Sequence, residues 1–181
     1  GIRATVFGAT GSVGSFVGAK LGYISSDLIF PSTTLFPYAD ENKELKLCAA
    51  LGKSWIVKQM NFNNEKMVER MVSSSNVVVN LCGPRKRVKH LDDFKKVNID
   101  VARKVARACR KNPNVIRLIH FSAAGAAPDS PSLDLQTKYY GEQAVLEEFP
   151  NATIFRPTQM FGQNDYLINR FWRTTEFWWD V

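Results

Sequence analysis

The sequence predicts an α/β fold: one doubly wound parallel sheet with helices on both faces. Three observations carry this. Strand-like and helix-like segments alternate along the chain with no hairpin signal between strands. The strand candidates are short, unbroken apolar runs such as NVVVNL (76–81), which suit parallel strands covered on both sides. A glycine string, GATGSVG (8–14), stands where the first strand gives way to the first helix.

Arg3–Phe7 (RATVF) reads as a buried strand, and Val13–Leu21 as a small, apolar, close-packing helix. Asp27–Phe30 is a second strand, ended by Pro31. A polar, proline-containing loop leads to a short helix over Lys43–Leu51, stopped by Gly52. Ser54–Val57 is the third strand. Asn63 and Asn64 can cap a helix over Glu65–Ser73, with Met67, Val68 and Met71 on one face. Asn76–Leu81 is the fourth strand.

The clearest helix spans Asp92–Lys111. Phe94, Val97, Val101, Val105 and Ala108 recur at helical spacing, with Lys96, Arg103, Arg107 and Arg110 on the other side. Val115–Ser122 is strand five, Ser132–Phe149 a helix and Ala152–Phe155 strand six. Beyond Arg156-Pro157 the alternation stops. The final eleven residues carry Phe171, Trp172, Phe177, Trp178 and Trp179, an aromatic area that further chain, a partner or the domain itself must cover. The expected division is a nucleotide-binding domain over 1–158 and an aromatic-rich segment over 159–181. That segment would begin a C-terminal lobe that is truncated or missing.

Of the 181 residues, 45% are hydrophobic and 23% charged, enough apolar content for one real core and no sign of disorder. The net charge of +7 favours acidic partners such as phosphorylated cofactors, anionic lipid or acidic proteins. Three cysteines, Cys48, Cys82 and Cys109, with no CxxC, predict neither a disulfide framework nor a zinc site and fit a reducing compartment. His90 and His120 are too scattered for a metal centre and read as loop or strand-end imidazoles. No apolar run approaches the ~20 residues of a membrane-spanning helix. The chain opens at Gly1 rather than Met, so it is silent on any presequence.

Gly8, Gly11 and Gly14 have the roles such a loop needs: a tight turn, close backbone approach to a pyrophosphate, and close helix–strand packing. The helix start then offers free N–H groups and a positive dipole end to phosphate. This makes the expected fold a Rossmann-type one. In the NAD-specific arrangement an acid at the end of strand two binds the ribose 2′-hydroxyl. Here that position reads FPSTTLF, and the first acid is Asp40. Ser32, Thr33 and Thr34 offer hydroxyls to a 2′-phosphate instead, so the sequence favours NADP(H) over NAD(H), although no arginine stands among them.

Taken in order, VFGATGSVG, NVVVNLCG, LIHFSAAGA, KYYGEQAV and TIFRPTQMFGQND resemble the extended and atypical short-chain dehydrogenase/reductases. GIRATVFGATG, SNVVVNLCG and FGQNDYLINRF resemble the subfamily of mitochondrial complex I accessory subunits (the alpha subcomplex subunit 9 type) more than sugar epimerases. That resemblance covers nearly the whole chain. It implies NADPH binding without turnover and a peripheral place on the matrix side of the inner membrane, among other complex I subunits. By position it implies a pyrophosphate loop of Gly8, Ala9, Thr10, Gly11, Ser12, Val13 and Gly14. Asn61 and Phe62 match the adenine side, and Leu81, Cys82 and Gly83 the floor after strand four. Ser122 matches the strand-five serine, Lys138 the active-site lysine, and Arg156, Pro157 and Thr158 the turn bordering the nicotinamide.

Two departures stand out. Thr33 occupies the place where many relatives carry a basic residue, and Asp134 stands where the family's YxxxK motif has its tyrosine. The family's reduction needs a phenol that gives up a proton, with the lysine one turn on lowering its pKa. Asp134 is ionised at neutral pH and has no proton to give. Tyr139 and Tyr140 point roughly 100° and 200° around the helix from Lys138. The sequence therefore predicts no catalytic residue. It assigns Asp134 to the first helical turn, paired with Lys138, and leaves the lysine as a ribose anchor.

Arg85, Lys86, Arg87 and Lys89 crowd the loop after strand four, facing cofactor phosphate, an acidic subunit or anionic lipid. No nucleic-acid motif accompanies them. The predicted function is a non-catalytic, NADP(H)-holding accessory subunit of complex I. The alternatives are an active reductase or epimerase of the same superfamily and a module that senses the redox state of NADP.

Overall fold

The computed structural model describes residues 1–24, 26–33, 45, 53–84, 90–162, 165, 168 and 171–172. Of the helix expected over Lys43–Leu51, only Leu45 lies among them; it is helical and buried. Asp40, Cys48, the basic loop from Arg85 to Lys89 and the tryptophans at 178 and 179 lie outside the described residues.

Six parallel strands form one sheet: β1 (Arg3–Phe7), β2 (Asp27–Pro31), β3 (Ser54–Val57), β4 (Val77–Asn80), β5 (Arg117–Phe121) and β6 (Thr153–Phe155). Their spatial order is β3-β2-β1-β4-β5-β6. The direction of winding reverses between β1 and β4, and ligands bind at such a switch point in open α/β sheets. The register pairs Val6 with Val79 and Phe7 with Asn80 there.

Successive side chains of a strand point to opposite faces, and here both faces are filled. Ala4, Val6, Leu28, Phe30 and Val79 form one cluster, covered by Val17 and Leu21 of helix α1 (Ser12–Tyr23). Phe7, Val78 and Leu118 join a second cluster on the other face. Helix α2 (Glu65–Val72) brings Val68, Met71 and Val72 to it, and later helices bring Val105 and Val145. The expected cap of α2 is present: the Asn64 side chain accepts from the Met67 N–H at 3.2 Å.

The helix expected over Asp92–Lys111 is three pieces. α3 (Leu91–Lys95) runs into a π-helical segment, Lys96–Val101, and then α4 (Ala102–Lys111). A π turn inserts an extra residue into the helical repeat. Here it buries Asn98 along with Val101. The arginines of α4 do not form a solvated charged stripe. Arg103 pairs with Glu147, Arg110 with Glu148, and Arg107 with both Glu148 and Glu65, while Lys111 reaches Glu69. These pairs tie α4 to α2 and to α5 (Leu133–Glu148). Arg107 beside it holds the Glu148 carboxyl below the usual carboxylate range.

Candidate functional site: the carboxyl edge of the sheet

The glycine turn follows β1 directly. Gly8 takes φ +77°, a left-handed conformation, and the Gly11 N–H donates to its carbonyl at 3.1 Å. A Cβ on Gly14 would lie 2.3 Å from the Gly8 carbonyl oxygen and 2.6 Å from Ala9 Cα. Only glycine lets α1 start this close to β1. Gly11 is the N-cap, no side chain caps it, and no acid occupies the first turn. The end of α1 is thus left positive, the condition phosphate binding requires.

The other candidate residues follow the carboxyl ends of the remaining strands. After β2, Ser32 is buried between strands: its N–H donates to the Val57 carbonyl and its own carbonyl accepts from Met60. Thr33 is exposed. After β3, Asn61 is exposed and its Oδ1 accepts from the Asn63 N–H at 2.9 Å, while the Phe62 ring turns inward onto Phe7, centroids 5.9 Å apart. After β4, Leu81 and Cys82 are half-buried and Gly83 exposed. Burial pushes the Cys82 thiol up to about 12.

Beneath this edge lies a polar pair that sequence reasoning misplaced. His120 is no loop or strand-end imidazole; it is buried inside β5, with Nδ1 3.1 Å from Asn80 Nδ2. Asn80 Oδ1 accepts from the Cys82 N–H at 3.1 Å, so its NH₂ group faces His120. Nδ1 therefore accepts, and the neutral ring carries its proton on Nε2. Burial lowers the His120 pKa to about 4; Glu142 acts against that shift and Lys138 adds to it.

Ser122 follows β5. Its N–H donates to the Phe155 carbonyl at 2.7 Å, but its hydroxyl is buried without a hydrogen-bond partner. Lys138 sits on α5 with Nζ 3.8 Å from Asp134 Oδ2, the i, i+4 pair the sequence predicts. Asp134 Oδ1 also accepts from Asn98 Nδ2 at 2.9 Å, and the same amide reaches Thr137 Oγ1 at 2.9 Å. Asn98 was missed as a site residue. The signal was available: a carboxamide four residues after Phe94, on the face that otherwise carries apolar groups. A Cβ on Gly141 would lie 2.1 Å from the Asn98 carbonyl oxygen, which shows how closely α5 approaches the π segment. Tyr140 points outward and meets Tyr139 edge-on, centroids 5.5 Å apart.

After β6, Pro157 accepts from the Ala124 N–H at 2.8 Å, and Thr158 is exposed. Arg156 is committed elsewhere. Its guanidinium forms two hydrogen bonds to Glu142, a carboxylate only 2% exposed, one helical turn after Lys138. Glu142 raises the Arg156 pKa further.

The glycine turn, Leu81–Gly83, Ser122 and Arg156–Thr158 thus share the sheet's carboxyl edge, with Lys138 on the helix beside it. Among the described residues no group of three or more histidine, cysteine or acidic side chains is placed to hold a metal, and no helix is long and apolar enough to cross a membrane.

Comparison with known proteins fits this arrangement. Residues 4–172 match the model of the NAD dependent epimerase/dehydratase family. The chain is 34% identical over 171 residues to the mitochondrial "NADH dehydrogenase [ubiquinone] 1 alpha subcomplex subunit 9" of Arabidopsis thaliana, covering 93% of this chain and 41% of that protein. It is 35% identical to the Rattus norvegicus protein of the same name, covering 94% and 44%. It is 36% identical to the mitochondrial NADH-ubiquinone oxidoreductase 40 kDa subunit of Neurospora crassa, again covering 94% and 44%. The chain therefore spans less than half the length of these relatives. Among solved structures, the Bordetella bronchiseptica enzyme WbmH in complex with NAD+ aligns with a TM-score of 0.78 at 16% identity, covering 97% of this chain and 62% of that one. UDP-glucuronic acid 4-epimerase from Bacillus cereus in complex with NAD aligns at 0.74 and 17%, covering 91% and 59%; at such identities the likeness is one of fold. With the glycine turn, the strand order and a match over most of its length, the chain belongs to the NAD dependent epimerase/dehydratase family.

Proposed function

We propose that this chain is the nucleotide-holding part of an accessory subunit of mitochondrial respiratory complex I, which keeps NADP(H) bound without turning it over. One observation carries the reading. An intact glycine turn coexists with Asp134, fixed by Asn98 and Lys138, where the family's mechanism needs a proton-donating tyrosine. A carboxylate held by a cation and an amide donor stays ionised, so it supplies no proton to a carbonyl. The names of the relatives at 34–36% identity support the assembly.

In this reading Gly8 to Gly14 cradle the pyrophosphate, and Asn61 and Phe62 border the adenine. Leu81 to Gly83 and Ser122 line the floor, and Lys138 holds the nicotinamide ribose. Thr33, exposed where Ser32 is buried, is the hydroxyl placed for a 2′-phosphate. Pro157 and Thr158 border the nicotinamide. Arg156 acts on that border through its grip on Glu142. When bound, the nucleotide supplies a hydride carrier; the residues around it supply binding and orientation. Residues 1–158 form the nucleotide domain and 159–181 begin a second lobe. The subunit sits peripherally on the matrix side of the inner membrane, contacts other complex I subunits, and turns the Arg85–Lys89 loop toward anionic lipid.

Isolating the native respiratory particle and identifying the nucleotide extracted from it tests the reading. NADP(H) at about one per particle is expected, as is no reduction of a carbonyl panel by the purified protein. A second reading, an active reductase, is favoured by the unpartnered Ser122 hydroxyl and the retained Lys138. Turnover that disappears in Lys138→Ala would establish it.

A further inference from the structure

All six strands run the same way, so the edge of the sheet opposite the glycine turn is built from strand starts. Backbone bonds fix its order. The Leu28 N–H donates to the Lys53 carbonyl at 2.7 Å and the Asp27 N–H to Ile2 at 3.0 Å. The Asn76 N–H donates to Arg3 at 2.9 Å and the Ile116 N–H to Asn76 at 2.8 Å. Lys53, Asp27, Arg3, Asn76 and Ile116 thus lie in sequence across β3 to β5. With strands ~4.8 Å apart, β2 and β5 begin about 14 Å from each other.

Large apolar groups stand at both ends of that line. Tyr23 and Ile24, where α1 ends and β2 is about to begin, are 66% and 52% exposed; Ile116, just before β5, is 74% exposed. Around them Arg3, Lys53 and Arg117 are exposed, and none forms an ion pair with a described residue. Lys20 lies 5.5 Å from the Tyr23 ring centroid. The contrast is with α4, where Arg103, Arg107, Arg110 and Lys111 are all neutralised within the fold. Here the cations are left facing outward.

We infer that this amino-terminal edge is the docking face for a protein surface with an apolar centre and an acidic rim, belonging to a neighbouring subunit of the respiratory assembly. The inference rests on the accessory-subunit reading proposed above and adds the face and the chemistry of the partner. Protein interfaces combine an apolar centre with a polar, charged rim, and opposite charges steer the encounter. A bilayer surface is read by dense basic clusters or amphipathic helices. This edge instead spaces its cations across five strand starts and fixes its isoleucines beside hydrogen-bonded sheet, a preorganised geometry suited to a rigid partner. Docking there leaves the nucleotide crevice, at the other end of the strands, uncovered.

The test uses the full-length protein in cells that lack their own copy, in two variants, Ile24→Glu/Ile116→Glu and Arg3→Glu/Arg117→Glu. Both should keep the wild-type Tm and bound nucleotide, because these side chains are exposed and remote from the crevice. Both should fall about tenfold or more in co-migration with the respiratory complex on native gels. A photo-reactive side chain in place of Ile116 should cross-link to a subunit of the assembled complex. Variants that co-migrate like wild type, or no such cross-link inside the complex, overturn the docking face while the accessory-subunit reading stands. Two other results also overturn it: a wild-type dimer that the variants convert to monomer, or variants that lose only binding to phosphatidylserine vesicles. Wild-type protein absent from the respiratory complex overturns both readings together.

Discussion

The Arg156 guanidinium grips the buried Glu142 carboxylate at two points, Nε to Oε1 at 2.9 Å and Nη2 to Oε2 at 2.5 Å. This links the end of β6 to α5 one turn beyond Lys138, so the loop bordering the crevice and the helix carrying its lysine move as one piece. Removing one partner leaves a carboxylate buried without compensation. Arg156→Met should cost about 2–3 kcal/mol and lower the Tm by roughly 4–10 °C. Glu142→Leu/Arg156→Met should recover much of that loss. Thermal melts of the three proteins measure the coupling; equal losses in the single and double variants would show that the pair contributes no specific coupling.

Acid should destabilise the protein through His120. Its folded pKa, about 4, lies below its ordinary 6.5, so the unfolded chain binds the extra proton over that interval. The sign follows: stability falls as pH drops from 6.5 toward 4 and is unaffected by this group above 6.5. Glu142 and Lys138 are the charged groups that act on the ring, and Asn80 fixes its tautomer. The full effect is about 3 kcal/mol. Urea midpoints between pH 4 and 7 should show the slope, and His120→Gln should flatten it.

Gly141→Ala tests the approach of α5 to the π segment. The new methyl would meet the Asn98 carbonyl oxygen at 2.1 Å, and backbone cannot rotate away as a side chain can. A cost of about 1–3 kcal/mol is expected, seen as a lower urea midpoint. Because the same shift pulls Asn98 away from Asp134, nucleotide affinity should fall as well.

Nucleotide binding should separate two kinds of site residue. Gly14→Ala collides with the Gly8 carbonyl and should abolish NADPH binding measured by fluorescence titration. Lys138→Ala removes a contact rather than the frame, and should weaken binding about tenfold with the fold intact. An unchanged affinity in Lys138→Ala would remove the lysine from the site.

Most of the architecture was readable because it is local. The strands are continuous apolar runs, the glycine turn is seven consecutive residues, and Asp134 and Lys138 are one turn apart. What escaped depends on partners distant in sequence. Asn98 meets Asp134 across 36 positions and Asn80 meets His120 across 40, pairings that only the parallel sheet and the π turn create. No periodicity marks a π segment in advance, because one inserted residue leaves the apolar spacing on either side intact. Arg156 illustrates the opposite error: its position in a recognised turn pointed to the cofactor, while its guanidinium serves a helix.

The buried sulfur of Cys82 gives the crevice a chemical character of its own. With a pKa near 12 it carries almost no thiolate at physiological pH. Peroxide and alkylating agents attack thiolates, so they should find no reactive group in this wall until the fold opens. A chain that holds a redox-active nucleotide thus lines part of its crevice with an inert thiol. Exposure to oxidant should leave nucleotide occupancy unchanged, and any response to the cell's reducing state should come through which nucleotide is bound.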